Sequence, residues 1–297
     1  SFSRGQLRAT LAGERITIER FYLQGRGGAE AGGTLLASGS TASPRQWTSL
    51  QATAASAAFS GIDGLGLSGQ DLSIEINRAS SGAVVDYADS HLAVATGTGS
   101  TLVLNMSGAD GELLRASGSF NLDAFGFFQA SGDLAIEKKT ATVTLADAST
   151  VNVDLLAIGG GNLAAFAGVN GGSADAVGLA LSEVGFGLAL MSEKPPTGST
   201  ISSGRNWTSL RATTGSAAFV GVEGLSLEAS SLVVEINRAG VATDPVVNFA
   251  AQNLNVNTGT GSSLALNMDG AQGDLGQGLA GWMVAVQHAE QGQHRRR

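Results

Sequence analysis

Apolar and polar residues alternate along much of this chain. Leu72, Ile74 and Ile76 are separated by Ser73 and Glu75, with Asn77 following, and Leu102, Leu104 and Met106 are separated by Val103 and Asn105. Successive side chains of a β-strand point to opposite faces, so this rhythm predicts strands with one buried face. It returns at Ile16 and Ile18, Leu92 and Val94, Phe120 and Leu122, Leu134 and Ile136, Val143 and Leu145, Val151 and Val153, and Leu188 and Leu190. Turn-forming residues fall between the runs: Ser107-Gly108, Ser117-Gly118, Ser131-Gly132, the glycines 159–161 and Asn170-Gly171-Gly172. No stretch carries a 3.6-residue apolar stripe capped at both ends. Only Ala54 to Phe59 and Asn162 to Val169 leave one or two helical turns in competition with a strand. The pattern predicts an all-β fold of short, closely spaced strands around a narrow core.

A second regularity has a much longer period. The segment from Trp47 to Arg78 returns from Trp207 to Arg238, with 19 identities in 32 ungapped positions at an offset of 160. Beyond it, Val84 to Ala88 matches Val246 to Ala250, Thr96 to Ser100 matches Thr258 to Ser262, and Leu104-Asn105-Met106 matches Leu266-Asn267-Met268, now at an offset of 162. Two residues have entered a turn. Such duplication marks an array whose units bury their faces against their neighbours. It divides the chain into an N-terminal β segment (1–46), a first unit (47–206), a partial second unit (207–275) and an irregular C-terminal tail (276–297). The polar, proline-bearing stretches Ser38 to Gln46 and Lys194 to Asn206 precede the two copies and read as unit boundaries. The expected architecture is elongated, either a β-solenoid or an open curved antiparallel sheet.

Composition narrows the function classes. Of 297 residues 43 are glycine, 4 are proline and 14% are charged, while 43% are apolar. That apolar share exceeds what a disordered chain carries, so the glycines belong to ordered structure. A net charge of −8 with three lysines argues against nucleic acid, which requires cations to displace phosphate counterions. Cysteine is absent, which removes disulfides, thiolate nucleophiles and cysteine metal sites together. The run from Ala176 to Met191 is too short and too interrupted to span a bilayer. Ser1, with no initiating Met or signal peptide before it, reads as the start of a fragment.

The candidate chemistry is sparse. Gly64 to Gly69 matches the phosphate-cradling pattern GxGxxG, but the second copy keeps only Gly224, and no helix is predicted to follow. Asp63, Asp110 and Glu112 sit beside glycines and are the candidate Ca2+ ligands; turn-stabilising acids are the preferred reading, since neither EF-hand spacing nor a glycine-aspartate nonapeptide accompanies them. Residue Gln272 replaces Asp110 in the second copy. His91, His288 and His294 assemble no triad or zinc set, and no serine lies in a GxSxG elbow. The chain therefore reads as non-enzymatic, with no cofactor assigned.

The recurring residues are structural anchors instead. Trp47 with Trp207 and Phe59 with Phe219 are either a glycan-stacking platform or aromatic plugs of a thin core, and area favours plugs. Glu75, Asn77 and Arg78 recur as Glu235, Asn237 and Arg238. Glu75 and Asn77 share the face opposite Ile74 and Ile76, as a ladder between strands or a stripe facing a partner.

Two resemblances follow from the wording. Leu11, Gly13, Ile16, Ile18, Phe21 and Ala37-Ser38-Gly39 resemble the repeats of TamB/AsmA-like envelope proteins over residues 6–40. From Trp47 to Leu275 the WTSL, AAF, EINR and LNM words and the segments between Gly111 and Lys194 resemble the long repeats of giant bacterial surface or extracellular proteins, of the LEPR-XLL or haemagglutinin-like kind. The second resemblance implies a structural or adhesive β-repeat module, outside the cell or in its envelope, with neighbouring repeats and surface glycans or proteins as partners. The first implies the alternative, a lipid conduit with phospholipid as partner. Leu72, Ile74, Ile76, Leu102, Leu104, Phe127, Leu134 and Ile136 discriminate: walls that meet favour a spacer, and an open apolar trough favours lipid.

Overall fold

The computed structural model describes residues 8–12, 15–19, 29–38, 45–59, 61–195, 204–223 and 227–273. The fold is all-β. In chain order the strands are β1 (Arg8–Ala12), β2 (Arg15–Glu19), β3 (Ala29–Ser38), β4 (Arg45–Phe59), β5 (Leu65–Ala79), β6 (Leu92–Gly97), β7 (Ser100–Leu104) and β8 (Leu113–Ala124). They continue as β9 (Phe128–Thr144), β10 (Thr150–Val169), β11 (Val177–Glu193), β12 (Asn206–Val220), β13 (Leu227–Ala239), β14 (Leu254–Gly259) and β15 (Ser262–Leu266). Single 3-10 turns at Gly108–Asp110 and Gly270–Gln272 are the only helical segments among the described residues. The tail 276–297 lies outside them.

Nine strands form one antiparallel sheet in the order β13-β12-β11-β10-β9-β8-β5-β4-β3, and β1–β2, β6–β7 and β14–β15 are separate hairpins. Every described pairing is antiparallel, and no solenoid coil is seen among the described strands. The duplicated segments fold alike. Trp47 pairs with Ala79 and Phe59 with Leu67, just as Trp207 pairs with Ala239 and Phe219 with Leu227. The expected boundary at residue 206 is no structural break, because β11 and β12 are hydrogen-bonded neighbours with Met191 opposite Trp207.

The expectation of short strands is corrected. β10 runs for 20 residues, and β9 and β11 for 17 each. Ser117-Gly118, Ser131-Gly132 and the glycines 159–161 lie inside strands, as do both stretches with helical potential. These glycines serve close approach instead of reversal. A Cβ on Gly159 would overlap the Asn257 carbonyl of β14, and one on Gly161 would lie 3.1 Å from the Thr258 hydroxyl.

A crease crosses the long strands. Asp71, Asn162, Glu183 and Ser231 take positive φ of 50°, 53°, 52° and 55° in mid-strand, and Gly132 has φ 144°. The pairing register shifts at Gln70/Ser73, Gly161/Ala164 and Gly160/Leu163. These positions neighbour one another from strand to strand. Each bulge bends its strand, and a line of them bends the sheet. On the inner side there is no room for side chains: a Cβ on Gly118 would lie 2.6 Å from Leu72 Cδ2, and one on Gly160 2.8 Å from Leu163 Cδ1. On the outer side Asp133 accepts hydrogen bonds from Ser119 and Asn162, which hold its carboxyl below the ordinary aspartate value.

Replacing Gly118 by Val should therefore overpack the crease and cost about 1–3 kcal/mol, read as a lower urea midpoint. Gly97→Ala, at a position with nothing within 4 Å, should stay within about 0.5 kcal/mol of the parent.

Candidate functional site

The two faces of the sheet differ in what covers them. Directly opposed residues share a face, so one face carries the row Ser49, Asn77, Leu113, Lys139, Leu155, Met191, Trp207 and Ala239. The hairpin β14–β15 and the loop before it pack on this face. Val153, Leu155, Ala189, Met191 and Trp207 of the sheet join Val247, Phe249, Val256 and Leu266 in the larger core, all of them buried. The β6–β7 hairpin forms a smaller cluster of Tyr87, Leu104 and Met106.

Each hairpin is tied down by the same three residues. In the second copy the Trp207 indole donates to the Pro245 carbonyl at 2.9 Å, Ser209 donates to Asn237 Oδ1 at 3.0 Å, and Asn237 Nδ2 donates to the Val247 carbonyl at 2.7 Å. In the first copy Trp47 donates to Ala83 at 3.0 Å, Ser49 to Asn77 at 3.2 Å and Asn77 to Val85 at 2.7 Å. Asn77 and Asn237 are both fully buried. A buried amide left unpaired would cost about 1–3 kcal/mol, so the loop must present its carbonyl there. Tyr87 also donates to Ser49 at 2.9 Å, and burial raises its hydroxyl pKa; Phe249 takes its place in the second copy. Arg45 and Arg205 lie over the indoles of Trp47 and Trp207, 4.7 and 5.5 Å from the ring centres.

Between the two hairpins the same face is charged. Arg115 of β8 reaches Glu75 at 3.0 Å, Glu137 at 2.7 Å and Asp110 at 3.6 Å. Burial opposes its charge, but the bond to Glu137 and the three carboxylates outweigh this and hold the guanidinium above its ordinary value. Glu235 pairs instead with Arg211 at 3.1 Å. Position 51, equivalent to 211, is Gln, so the first copy has no arginine at that place on β4.

Among the described residues neither the β6–β7 nor the β14–β15 hairpin packs on the opposite face. Its rows read Leu50, Ile76, Leu114, Lys138, Leu156 and Leu190, and then Ala52, Ile74, Ala116, Ile136, Ile158 and Leu188. At the crease this face closes on a trough of about 680 Å3, a volume in the range of small-molecule sites. Phe59, Leu67 and Phe120 line one side, Ile74, Ala116, Ile136 and Ile158 the other, and Gly69, Leu72, Gly118 and Leu134 lie between them. Ile74 is 44% exposed and Ile136 37%.

The sequence candidates are scattered over these features. Phe59 stands half-exposed on the trough and Phe219 is half-buried, so neither plugs a core, whereas Trp207 is fully buried. Of the eight discriminating residues, Leu72, Ile74, Leu134 and Ile136 line the trough and Ile76 shares its face. Leu102 and Leu104 belong to the β7 hairpin on the far side, and Phe127 is exposed in the β8–β9 turn. Arg78 is exposed, beside Glu112, Lys138 and Asp154. Asp63 is exposed before β5, while Asp110 serves Arg115. Among the described residues no three acidic or histidine side chains gather as a metal site. All of the Gly64 to Gly69 motif but its first glycine lies inside β5, a strand, and the ring of His91 lies 2.7 Å from the Tyr87 carbonyl. Sequence reasoning missed the Ser49 and Ser209 hydroxyls and the crease glycines; their recurrence in WTSL was the available signal for the serines.

Comparison with known proteins finds no matching family model, no matching curated protein and no matching solved structure. Asn237→Ala should strand the Val247 carbonyl and the Ser209 hydroxyl. The expected loss is about 1–3 kcal/mol, measured by urea unfolding, with the hairpin amides of β14 and β15 losing hydrogen-exchange protection first.

Proposed function

We propose that this chain is a non-enzymatic structural unit of a repeat array in a large bacterial surface or secreted protein. One observation carries the reading: hydrogen-bonded pairing passes without interruption from the first copy into the second through β11 and β12. From Trp47 to Asn206 one period contributes six long strands and one hairpin, and the second copy begins the same series. Strands in a sheet lie about 4.8 Å apart, so each period should lengthen the sheet by about 29 Å. The hairpin face is closed by buried cores and an internal charge ladder, and the low lysine content leaves a weakly charged exterior. An adhesive role would use the exposed rim aromatics, Phe59 among them.

The test is to measure growth. Small-angle scattering from chains carrying two, three and four copies of 47–206 should show a maximum dimension rising linearly with copy number. Growth as separate globules on flexible joints, or as one compact body, would count against the array.

A second reading, the lipid conduit, is favoured by the open trough. A trough of this volume accommodates apolar chains, and extension of the creased sheet would extend it. Native mass spectrometry after mild extraction separates the two: a spacer should arrive without bound lipid. Co-purifying phospholipid, lost on Ile136→Lys without loss of fold, would transfer the function to the conduit.

A further inference from the structure

Beyond the crease the sheet has a second concavity, on the face that bears the hairpins. Two rows of directly opposed residues make it: Asn121, Ser131 and Ala164, and then Asp123, Gln129, Phe166 and Ala180. The β14–β15 turn lies over the preceding row, where a Cβ on Gly259 would come 2.6 Å from Asp133 Cβ. The hollow beyond it measures about 510 Å3, again in the range of small-molecule sites. Unlike the trough, it sets one aromatic ring among polar side chains, and among the described residues no Lys or Arg lines it. Phe166 has only alanines beside it on this face, Ala164 in its own strand and Ala180 across from it. Its ring rests against Gly168 and Gly171, where a Cβ would lie 2.9 Å from Cζ and 2.6 Å from Cδ1.

The polar groups are set in place but not used up. Asp123 accepts from the Gly126 amide at 2.9 Å and from Gln129 Nε2 at 3.1 Å. That bond orients the Gln129 amide, whose Oε1 borders Gly171 together with the Phe166 ring. Among the described residues Oε1 accepts no hydrogen bond, and the side chains of Asn121 and Ser131 make none. We propose that this hollow binds one ring of a neutral glycan, stacked on Phe166 with its hydroxyls held by Asn121, Asp123 and Gln129. The inference rests on the adhesive part of the proposed function and gives it a ligand class and a place. A sugar ring joins an apolar C–H face to a rim of hydroxyls. Phe166 offers the flat apolar partner, Gln129 and Asp123 offer fixed acceptors, and Asn121 offers a donor and an acceptor together. Acceptors placed for hydroxyls select against ligands that lack them. Asp123, with Asp133 two rows away and no cation in the lining, selects against acidic sugars and phosphates.

The test is saturation-transfer NMR on the full chain with maltotriose, cellotriose and chitotriose as probes. At least one should bind with a dissociation constant in the millimolar range or below. Phe166→Ala should weaken that binding about ten-fold, and Phe166→Trp should keep it within about three-fold of the parent. Asn121→Ala should weaken it by about three- to ten-fold; this side chain is exposed and makes no bond in the fold, so its effect reads the site and not stability. Trigalacturonate should bind at least about ten-fold more weakly than the best neutral probe, and Asp123→Asn, which keeps an acceptor oxygen for Gly126, should narrow that difference. Binding of none of the neutral probes, equal binding by both the F166A and N121A chains, or preference for trigalacturonate would overturn the proposal. If binding fails while tandem chains still lengthen linearly, only the glycan assignment falls. If they do not lengthen, the array reading falls with it.

Discussion

A fully buried asparagine in each copy holds the architecture to its shape. Asn77 and Asn237 lie in the sheet with both polar ends satisfied, the oxygen by a serine on the next strand and the nitrogen by a carbonyl of the returning loop. The loop cannot lift away without leaving an amide unpaired in an apolar setting, which costs more than the bond contributes when made. Because the loop is fixed, the chain after β5 and after β13 must fold back over the sheet. The hairpin that follows then lands on the strands already laid down. The indole bonds of Trp47 and Trp207 repeat the constraint one row away, and in the second copy the ring is also buried in the larger core.

The second constraint acts on the other face. Strands of 15 to 20 residues would twist apart if they stayed straight, and the aligned bulges divide each into two shorter arms. Bending requires the inner side to be thin, and Gly118, Gly132 and Gly160 make it so. Leucines at 72 and 163 then move into the space the missing side chains leave. The trough is a consequence of that bend. Its apolar lining comes from residues that a flat sheet would present as an ordinary half-exposed face.

These two features explain what the sequence disclosed and what it hid. Alternation located the strands, and the Trp47 and Trp207 segments announced two like structures, because identical words at fixed spacing fold alike. The polar residues opposite Ile74 and Ile76 were visible, but whether Glu75 joined a ladder between strands or a stripe facing a partner was not. Strand length was not legible. Gly118, Gly132 and the glycines 159–161 carry the same letter as the turn glycines Gly126 and Gly172, but only the latter pair reverses the chain. A glycine chosen for close approach differs from one chosen for a turn by what lies across from it, and that is a property of the fold. Phe59 was misjudged as a plug for the same reason, since nothing in its own strand says whether a second layer covers it.

The sequence repeat and the packing unit are out of phase. The larger core draws Val143, Val151, Val153, Leu155, Ala189 and Met191 from the first copy, and Trp207, Val246, Val247, Phe249, Val256, Leu266 and Met268 from the second. A hairpin thus packs mainly on strands of the unit before it. Neighbouring units are joined by a shared core as well as by backbone pairing, so the interface term between them is large relative to the stability of either alone. Cooperativity should run across sequence boundaries and weaken within a period, where β8 meets β5 beneath the Arg115 ladder and the crease, outside both buried clusters. That asymmetry also accounts for the smaller first cluster. Tyr87, Leu104 and Met106 have β3 and β4 beneath them, whereas the second hairpin rests on the broad floor formed by β9, β10 and β11.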